Sequence, residues 1–355
     1  MLPWRGNAAP DPSIDNSSTG NNASASMKLA TYRDGSRDGV LVVVSNDLSL
    51  AHYASGVASR LQQVLDDWNY LSPQLEDLAR TLDHGKARHA FTFDPRMCMA
   101  PLPRAYQWAA AAAYLNHVEL ARRARGAPVP ERFHTDPLMV QGGSDEFLGP
   151  CDDIRCASED HGIDFEAELA VITGDLAMGC TPEGGIDGVR LLMLVNDVSL
   201  RQLIPDELAK GIGFVQGKPA PAFSPVAVTP DELGAAWRGG KVHLRLESRR
   251  NGEPVGRCDA GAGMRFDFGQ LIAHLCKTRN VRAGSIIGSG AVSSCDGSHG
   301  YSSIAEKRAF ETIESGAPKT AYVKFGDTVR IETKGDNGLS VFGAIEQRVA
   351  PAVSR

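Results

Sequence analysis

Residues Asp164-Phe165-Glu166-Ala167-Glu168-Leu169-Ala170-Val171-Ile172 decide how the rest of the chain is read. Alternation puts Phe165, Ala167 and Leu169 on one side and Asp164, Glu166 and Glu168 on the other, which predicts a strand leading into an apolar run. Like charges on one strand face repel, so water or a cation must separate them. Two carboxylates alone suit a solvated edge strand, because a hard divalent cation takes more oxygen ligands than two. A third carboxylate tips the reading toward a cation: the apolar stretch Leu191-Leu192-Met193-Leu194-Val195-Asn196 ends on Asp197.

A chain of 355 residues, 42% hydrophobic and 23% charged, can form one large domain or two unequal ones with ample core. Its net charge of -6 argues against nucleic acid or an anionic membrane as partner, since no basic excess is available to neutralise phosphates. Small-molecule chemistry is the expectation. Seven cysteines, an odd number scattered from Cys98 to Cys295, suggest reduced intracellular thiols. Cys151, Cys156 and His161 lie close in sequence, but their spacing is too loose for a zinc site and lacks a second pair. No apolar stretch approaches the length that spans a bilayer.

Residues 1–26 are rich in Asn, Ser, Gly, Ala and Pro and show no apolar periodicity, which predicts a disordered leader or an appended extension. Lys28 to Tyr32 and Gly39 to Ser45 read as paired strands about a turn at Asp34-Gly35. Ala58 to Asp83 has helical spacing, with Leu61, Val64, Leu65 and Trp68, then after Pro73 Leu75, Leu78, Ala79 and Leu82. Pro95, Pro101 and Pro103 mark a linker.

Tyr114 to Arg125 is a predicted helix carrying His117. Glu183 to Arg190 is turn-rich, and Lys210 to Lys218 is glycine-rich without the third glycine of a dinucleotide fingerprint. No Gly-x-Ser-x-Gly elbow or phosphate loop occurs. Val242 to Glu247 alternates, Asn251-Gly252 signals a hairpin, Phe268 to Thr278 is helical, and Ser285 to Gly288 is a short strand. Phe325 to Glu332 and Leu339 to Glu346 are the last predicted strands. Many short strands with few helices point to a β-rich mixed roll and not to a doubly wound parallel sheet.

The chemistry-bearing residues in order are His117, Glu166, Glu168, Asp197, Arg201, Lys218 and Glu306. Glu166-x-Glu168, Asn196-Asp197-Val198-Ser199-Leu200-Arg201, Gly217-Lys218-Pro219 with Phe223-Ser224-Pro225, and the Gly288-Ser289-Gly290 turn resemble the fumarylacetoacetate hydrolase family. The resemblance covers essentially Met27 to Glu346 and includes a small N-terminal part like that of bacterial fumarylacetoacetases. It implies an α+β fold, with a small N-terminal α/β module over 27–100 and a β-rich roll catalytic domain over 101–350. A cytoplasmic homodimer is implied as well.

By the same resemblance, Glu166, Glu168 and Asp197 hold Mg2+ or Ca2+, and His117 is the general base with Glu306 as its carboxylate partner. Lys218 stabilises an oxyanion, while Arg201, Ser289 and Gly290 contact substrate. The implied reaction is hydrolytic carbon-carbon cleavage of a β-diketone acid, fumarylacetoacetate to fumarate and acetoacetate, in tyrosine and phenylalanine catabolism. The residues suit that chemistry: expelling a carbanion requires polarised substrate oxygens, which a hard cation chelated by them supplies.

Three positions depart from the family pattern. Ala110 stands where the family has a metal-binding Asp seven residues before the histidine, and one carboxylate fewer weakens cation binding. Ala291 replaces a threonine of the late Gly-Thr-x-Ser turn, and Val140 replaces a tyrosine before Gln141. These changes leave open a weakened enzyme, an acylpyruvate hydrolase or oxaloacetate decarboxylase of the same fold, and a catalytically silent member that binds small carboxylates. Asp136 is a conceivable substitute ligand.

Overall fold

The structure, a computed structural model, describes residues 26–211, 213–294 and 297–353. Apart from Ser26, the expected leader lies outside the described residues.

The two apolar runs that end in acids are neighbours. Ala167–Thr173 is buried at every position and lies antiparallel to Val189–Asn196, with Glu168 opposite Val195 and Ala167 opposite Asn196. Strands without a polar face belong in the middle of a sheet covered on both sides. On the other flank Ile286–Gly288 is antiparallel to Ala167–Thr173 and parallel to Trp108–Ala111.

The large sheet has 11 strands, in the order Phe91–Thr92, Leu50–Tyr53, Val40–Val44, Lys28–Tyr32, Ala227–Val228, Val189–Asn196, Ala167–Thr173, Ile286–Gly288, Trp108–Ala111 and Met139–Gly142. Its eleventh strand, Ala222–Phe223, also pairs with Val189–Asn196. A second sheet of five strands runs Glu253–Asp259, Arg245–Arg250, Thr328–Thr333, Ile345–Pro351 and Ile154–Cys156. Asn251 and Gly252 turn its hairpin with φ of 53° and 81°, the left-handed conformation that Asn-Gly adopts readily.

The period of two sorts side chains into two cores. Leu169, Val171, Leu192 and Leu194 cluster with Leu246, Ile331, Ile345 and Val349 of the second sheet. Ala170, Ile172, Leu191 and Met193 cluster instead with Leu61, Val64, Leu75 and Leu82. The fold is therefore a β-rich α+β roll, with two helices closing the outer face of the large sheet.

The helices are α1 (Leu61–Asp66), α2 (Trp68–Asp83), α3 (Leu115–Arg123), α4 (Pro182–Asp187), α5 (Ile204–Ala209), α6 (Phe268–Cys276) and α7 (Ile304–Ser315). The helical stretch 58–83 breaks at Asp67, and Pro73 lies in the second turn of α2, where it gives up one N–H bond to the preceding turn. Two strands begin later than their sequences suggest, at Thr328 and Ile345. The second delay has a local cause: Gly343 has φ of 72°, and a Cβ there would lie 2.3 Å from Pro225 Cγ, so the chain bends before it can pair. The expected single strand from Asp164 to Ile172 is also interrupted. Ile163–Asp164 pairs with Ser199–Leu200, and regular pairing resumes only at Ala167.

Lys28 fastens the N-terminal strands to the rest. Its buried ammonium donates 2.6 Å to the Val341 carbonyl and sits 2.8 Å from Glu232 Oε1. Burial pushes its pKa down, against the pull of Glu232. Removing one partner of a buried pair strands the other, so Lys28→Ala should lower the unfolding free energy by about 3 kcal/mol in urea titration.

Candidate active site

Glu166, Glu168 and Asp197 converge at the ends of the two central strands, where each offers a carboxylate oxygen within 4.8 Å of the others. All three are buried. The convergence follows from register. Glu168 sits opposite Val195, two residues before Asp197, and the Asp197 N–H donates to the Glu166 carbonyl at 3.0 Å.

Close approach to Glu168 depends on glycines. A Cβ on Gly288 would fall 2.4 Å from Trp108 Cη2 and 3.1 Å from Glu168 Oε2. Gly290 donates its N–H to Glu168 Oε2 at 3.0 Å. The Ser289 hydroxyl is buried, accepting from the Leu169 N–H and donating to the Gly290 carbonyl. Both residues of the turn, expected to contact substrate, are thus engaged in shaping the acidic strand.

Two cations oppose the acids. Lys218 Nζ donates 2.6 Å to Glu166 Oε2 and 2.8 Å to Asp197 Oδ2. Arg201 donates from Nη2 to Glu166 Oε1 at 2.6 Å and from Nε to Asp164 Oδ2 at 2.9 Å. The fork expected to hold a substrate carboxylate is directed at these two protein carboxylates. Asp164, which alternation placed on one face with Glu166 and Glu168, shares the Arg201 guanidinium with Glu166 and also accepts from the start of α7.

The electrostatics divide the cluster. Burial alone would raise the Glu166 carboxyl, but Arg201 and Lys218 hold it well below the usual range. Glu168 moves the other way: burial, then the charges of Asp197 and Glu166, push it well above. Burial also raises Asp197, while Lys218 pulls it back. Among the described residues, the four buried carboxylates, Asp164 included, have Lys218 and Arg201 as their lysine and arginine partners, beside the His117 imidazole. An all-oxygen donor set with surplus negative charge suits a hard divalent cation such as Mg2+ or Ca2+.

His117, on α3, faces the same cluster. Its Nε2 is 4.0 Å from Glu166 Oε1, and its Nδ1 is 3.8 Å from Glu306 Oε2 on α7. Among the described residues, that Nδ1 and that Oε2 are buried and lack a hydrogen-bond partner. The other Glu306 oxygen accepts from the Ser293 hydroxyl, which in turn accepts from Asn116 Nδ2 at 2.7 Å. Ser303 caps α7 by accepting from the Glu306 N–H at 3.2 Å.

Ala110 occupies the Trp108–Ala111 strand opposite Gly288 and Val140. With Trp108, Val140, Phe214, Pro219 and Pro221 it gives an apolar wall to a pocket that Asp197 and Lys218 also line. Asp136 is not a stand-in for the missing ligand. It is half-buried, outside the acidic cluster, and pairs with Arg132 at 3.1 Å and His274 at 3.5 Å.

Glu207 escaped the sequence reading. Its carboxylate accepts from the Val215, Gln216 and Gly217 N–H groups at 2.8, 2.8 and 2.7 Å. The glycine-rich passage therefore wraps its amides around an internal carboxylate, and so delivers Lys218. Trp108 and Asn116 were also missed, because a lone aromatic or amide carries no spacing signal. Asp164 was visible, but its bonds to the first turn of α7 carry no spacing signal.

Residues 107–350 match the family model described as fumarylacetoacetate (FAA) hydrolase C-terminal, and residues 27–104 match fumarylacetoacetase N-terminal domain 2. The chain belongs to the fumarylacetoacetate hydrolase family. A family relative, the 2,4-didehydro-3-deoxy-L-rhamnonate hydrolase of Sphingomonas sp. (strain SKA58), is 24% identical over 226 residues, covering 63% of this chain and 67% of that protein. The oxaloacetate tautomerase YisK of Bacillus subtilis (strain 168) is 30% identical over 181 residues, 51% of this chain and 56% of its own length. Several putative hydrolases from Burkholderia are matched over 58% of their length, so the chain spans little more than half of most of these curated relatives.

Solved structures with the fumarylacetoacetate hydrolase fold include the fumarylacetoacetate hydrolase of Exiguobacterium antarcticum, with TM-score 0.63 and 18% identity over 92% of this chain and 100% of that one. A probable 2-hydroxyhepta-2,4-diene-1,7-dioate isomerase from Mycobacterium abscessus superposes with TM-score 0.65 and 18% identity over 92% of this chain and 99% of its own. At such identity the likeness speaks to fold. The relatives matched in sequence thus include hydrolases and a tautomerase named for small carboxylates.

The Glu207 carboxyl is held below the usual range, chiefly by the Gln216 N–H. A depressed carboxyl favours the fold above its unfolded pKa and loses that contribution as pH falls through the folded one. The Lys218 loop should therefore stay closed down through the ordinary glutamate range and loosen only below it. Glu207→Gln should speed amide exchange at Val215, Gln216 and Gly217 roughly tenfold or more at neutral pH.

Proposed function

We propose that this chain is a metal-dependent hydrolase that cleaves a carbon-carbon bond in a β-diketone acid, with fumarylacetoacetate as the reference substrate. The observation that carries the reading is the meeting of three buried carboxylates, one lysine and a histidine-glutamate pair at one place. Glu166, Glu168 and Asp197 would hold Mg2+ or Ca2+, which when bound polarises the substrate oxygens as a Lewis acid.

The protein's own groups then divide the work. His117 Nε2 takes a proton from water as its oxygen adds to the carbonyl next to the bond that breaks. Glu306 lies beyond Nδ1, where a carboxylate fixes the imidazole's orientation. The 3.8 Å separation is long for a hydrogen bond, and such contacts commonly tighten when substrate binds. Lys218 presents a fixed positive charge to the oxyanion of the adduct. Burial would lower the Lys218 pKa, but Asp197 and Glu166 raise it, so it is charged throughout the working pH range. When the adduct collapses, the bonding pair leaves on carbon as an enolate and takes up a proton. The products are two carboxylic acids, the fumarate and acetoacetate of the reference reaction.

A shorter substrate of the acylpyruvate or oxaloacetate type is the second reading. It is favoured by the wall of Trp108, Ala110, Val140 and Phe214, since Lys218 is the sole cation among the described lining residues. Against that wall a short acyl tail would pack, as in an acylpyruvate, whereas the far carboxylate of fumarylacetoacetate would find little to pair with. We further propose a cytoplasmic homodimer as the working form; among the described residues no helix is long and apolar enough to cross a membrane.

Loss of diketone absorbance with Mg2+ present tests the reading, using fumarylacetoacetate beside an acylpyruvate. His117→Ala and Lys218→Ala should each lower kcat by about 100-fold or more with the fold intact by circular dichroism. A folded wild-type chain that turns over neither substrate at any Mg2+ concentration would sink it. Ala110→Asp should tighten Mg2+ binding by about tenfold in calorimetry, because ligand charge sets oxygen-site affinity.

A further inference from the structure

We infer that Asp164 is a positioning residue for this site: a single carboxylate that joins Arg201 to the first turn of α7 and shares the guanidinium charge with Glu166. The inference rests on the metal-centre reading above and goes beyond the ligands and the histidine-glutamate pair.

Asp164 is fully buried, and each of its oxygens is used. Oδ1 accepts from the Ile304 N–H at 2.8 Å, while Oδ2 accepts from the Ala305 N–H and from Arg201 Nε, both at 2.9 Å. Capping alone does not explain a buried charge: Ser303 takes the Glu306 N–H, and a neutral acceptor would serve the Ile304 and Ala305 amides. Nor does neutralising Arg201, since Glu166 lies 2.6 Å from Nη2 of the same guanidinium. Among the described residues, the Asp164 carboxylate hydrogen-bonds both, beside the backbone bridge of Glu166 to Ser303.

The two partners lead to opposite sides of the site. Arg201 leads to Glu166, and thence to Lys218 and Asp197. α7 carries Glu306, whose carboxylate stands 3.8 Å from His117. One carboxylate therefore sets the distance between the acidic cluster and the residue behind the base. It also has an electrostatic duty. While Asp164 takes part of the Arg201 charge, Glu166 keeps charge to offer a cation. Without it the guanidinium falls on Glu166 alone and competes with the metal.

Asparagine at this position has one acceptor oxygen and turns an amide N–H2 toward at least one existing donor. Mn2+ followed by electron paramagnetic resonance is the probe, with hydrogen exchange measured at Ile304 and Ala305. In Asp164→Asn the Mn2+ dissociation constant should rise about tenfold, and both amides should lose protection. Adding Arg201→Gln to that variant should recover most of the Mn2+ affinity, because removing the cation restores the charge balance. A merely structural lesion would not be repaired by a second one. Asp164→Glu, which keeps the charge but moves it, should retain Mn2+ affinity within roughly threefold while protection at Ile304 and Ala305 falls; it serves as the test where the asparagine variant does not fold.

Unchanged Mn2+ affinity in folded Asp164→Asn, or a double variant that binds no better than the single, overturns the charge-sharing role. A wild-type chain that binds no Mn2+ overturns the metal-centre reading instead. The joint is then judged by exchange alone, and unaltered protection at Ile304 and Ala305 refutes it.

Discussion

The structure turns on an electrostatic imbalance held inside a dry sheet. Glu166, Glu168 and Asp197 are brought together by the register of two central strands, and the cations within reach, Lys218 and Arg201, do not cancel them together with Asp164. Burial works against charge here: with the neighbouring acids it pushes the Glu168 carboxyl well above its usual range, and it raises Asp197 against the pull of Lys218. Glu166 is the exception, because both cations lean on it. Much of the neighbouring architecture serves to keep this charge in place: Gly288 clears space for Glu168, Gly290 supplies it an N–H, and Glu207 gathers the loop that carries Lys218.

The sequence disclosed the parts of this arrangement that have periodic or paired signals. Apolar runs ending in acids foretold the central strands, and Asn251-Gly252 foretold its hairpin, since both are set by local chemistry. The family resemblance then joined motifs far apart in the chain, which no local rule could do. His117 and Glu306 lie 3.8 Å apart at one end, although the chain between them crosses both sheets.

What was hidden depended on direction more than on identity. Asp164 was in view from the first line, and alternation gave the face it shares with Glu166 at Arg201, but not its reach to the first turn of α7. Arg201 was assigned to a ligand because a guanidinium suits carboxylates; the carboxylates it meets belong to the protein. Glu207 could not be foreseen, since its partners are backbone N–H groups and leave no mark on residue choice. The late start of Ile345–Pro351 came from a contact between Gly343 and Pro225, more than a hundred positions apart.

The continuity of the large sheet has a consequence for how the two family-matched segments can exist. Lys28–Tyr32 pairs with Ala227–Val228, and α1 and α2 cover the face that includes Ile172 and Met193. A catalytic segment separated from residues 27–104 would present a bare strand edge beside an uncovered apolar surface. Such an edge recruits other chains and aggregates. The two segments are in this sense an obligate pair, and recombination that exchanges one would succeed only with a partner that rebuilds both the edge and its cover.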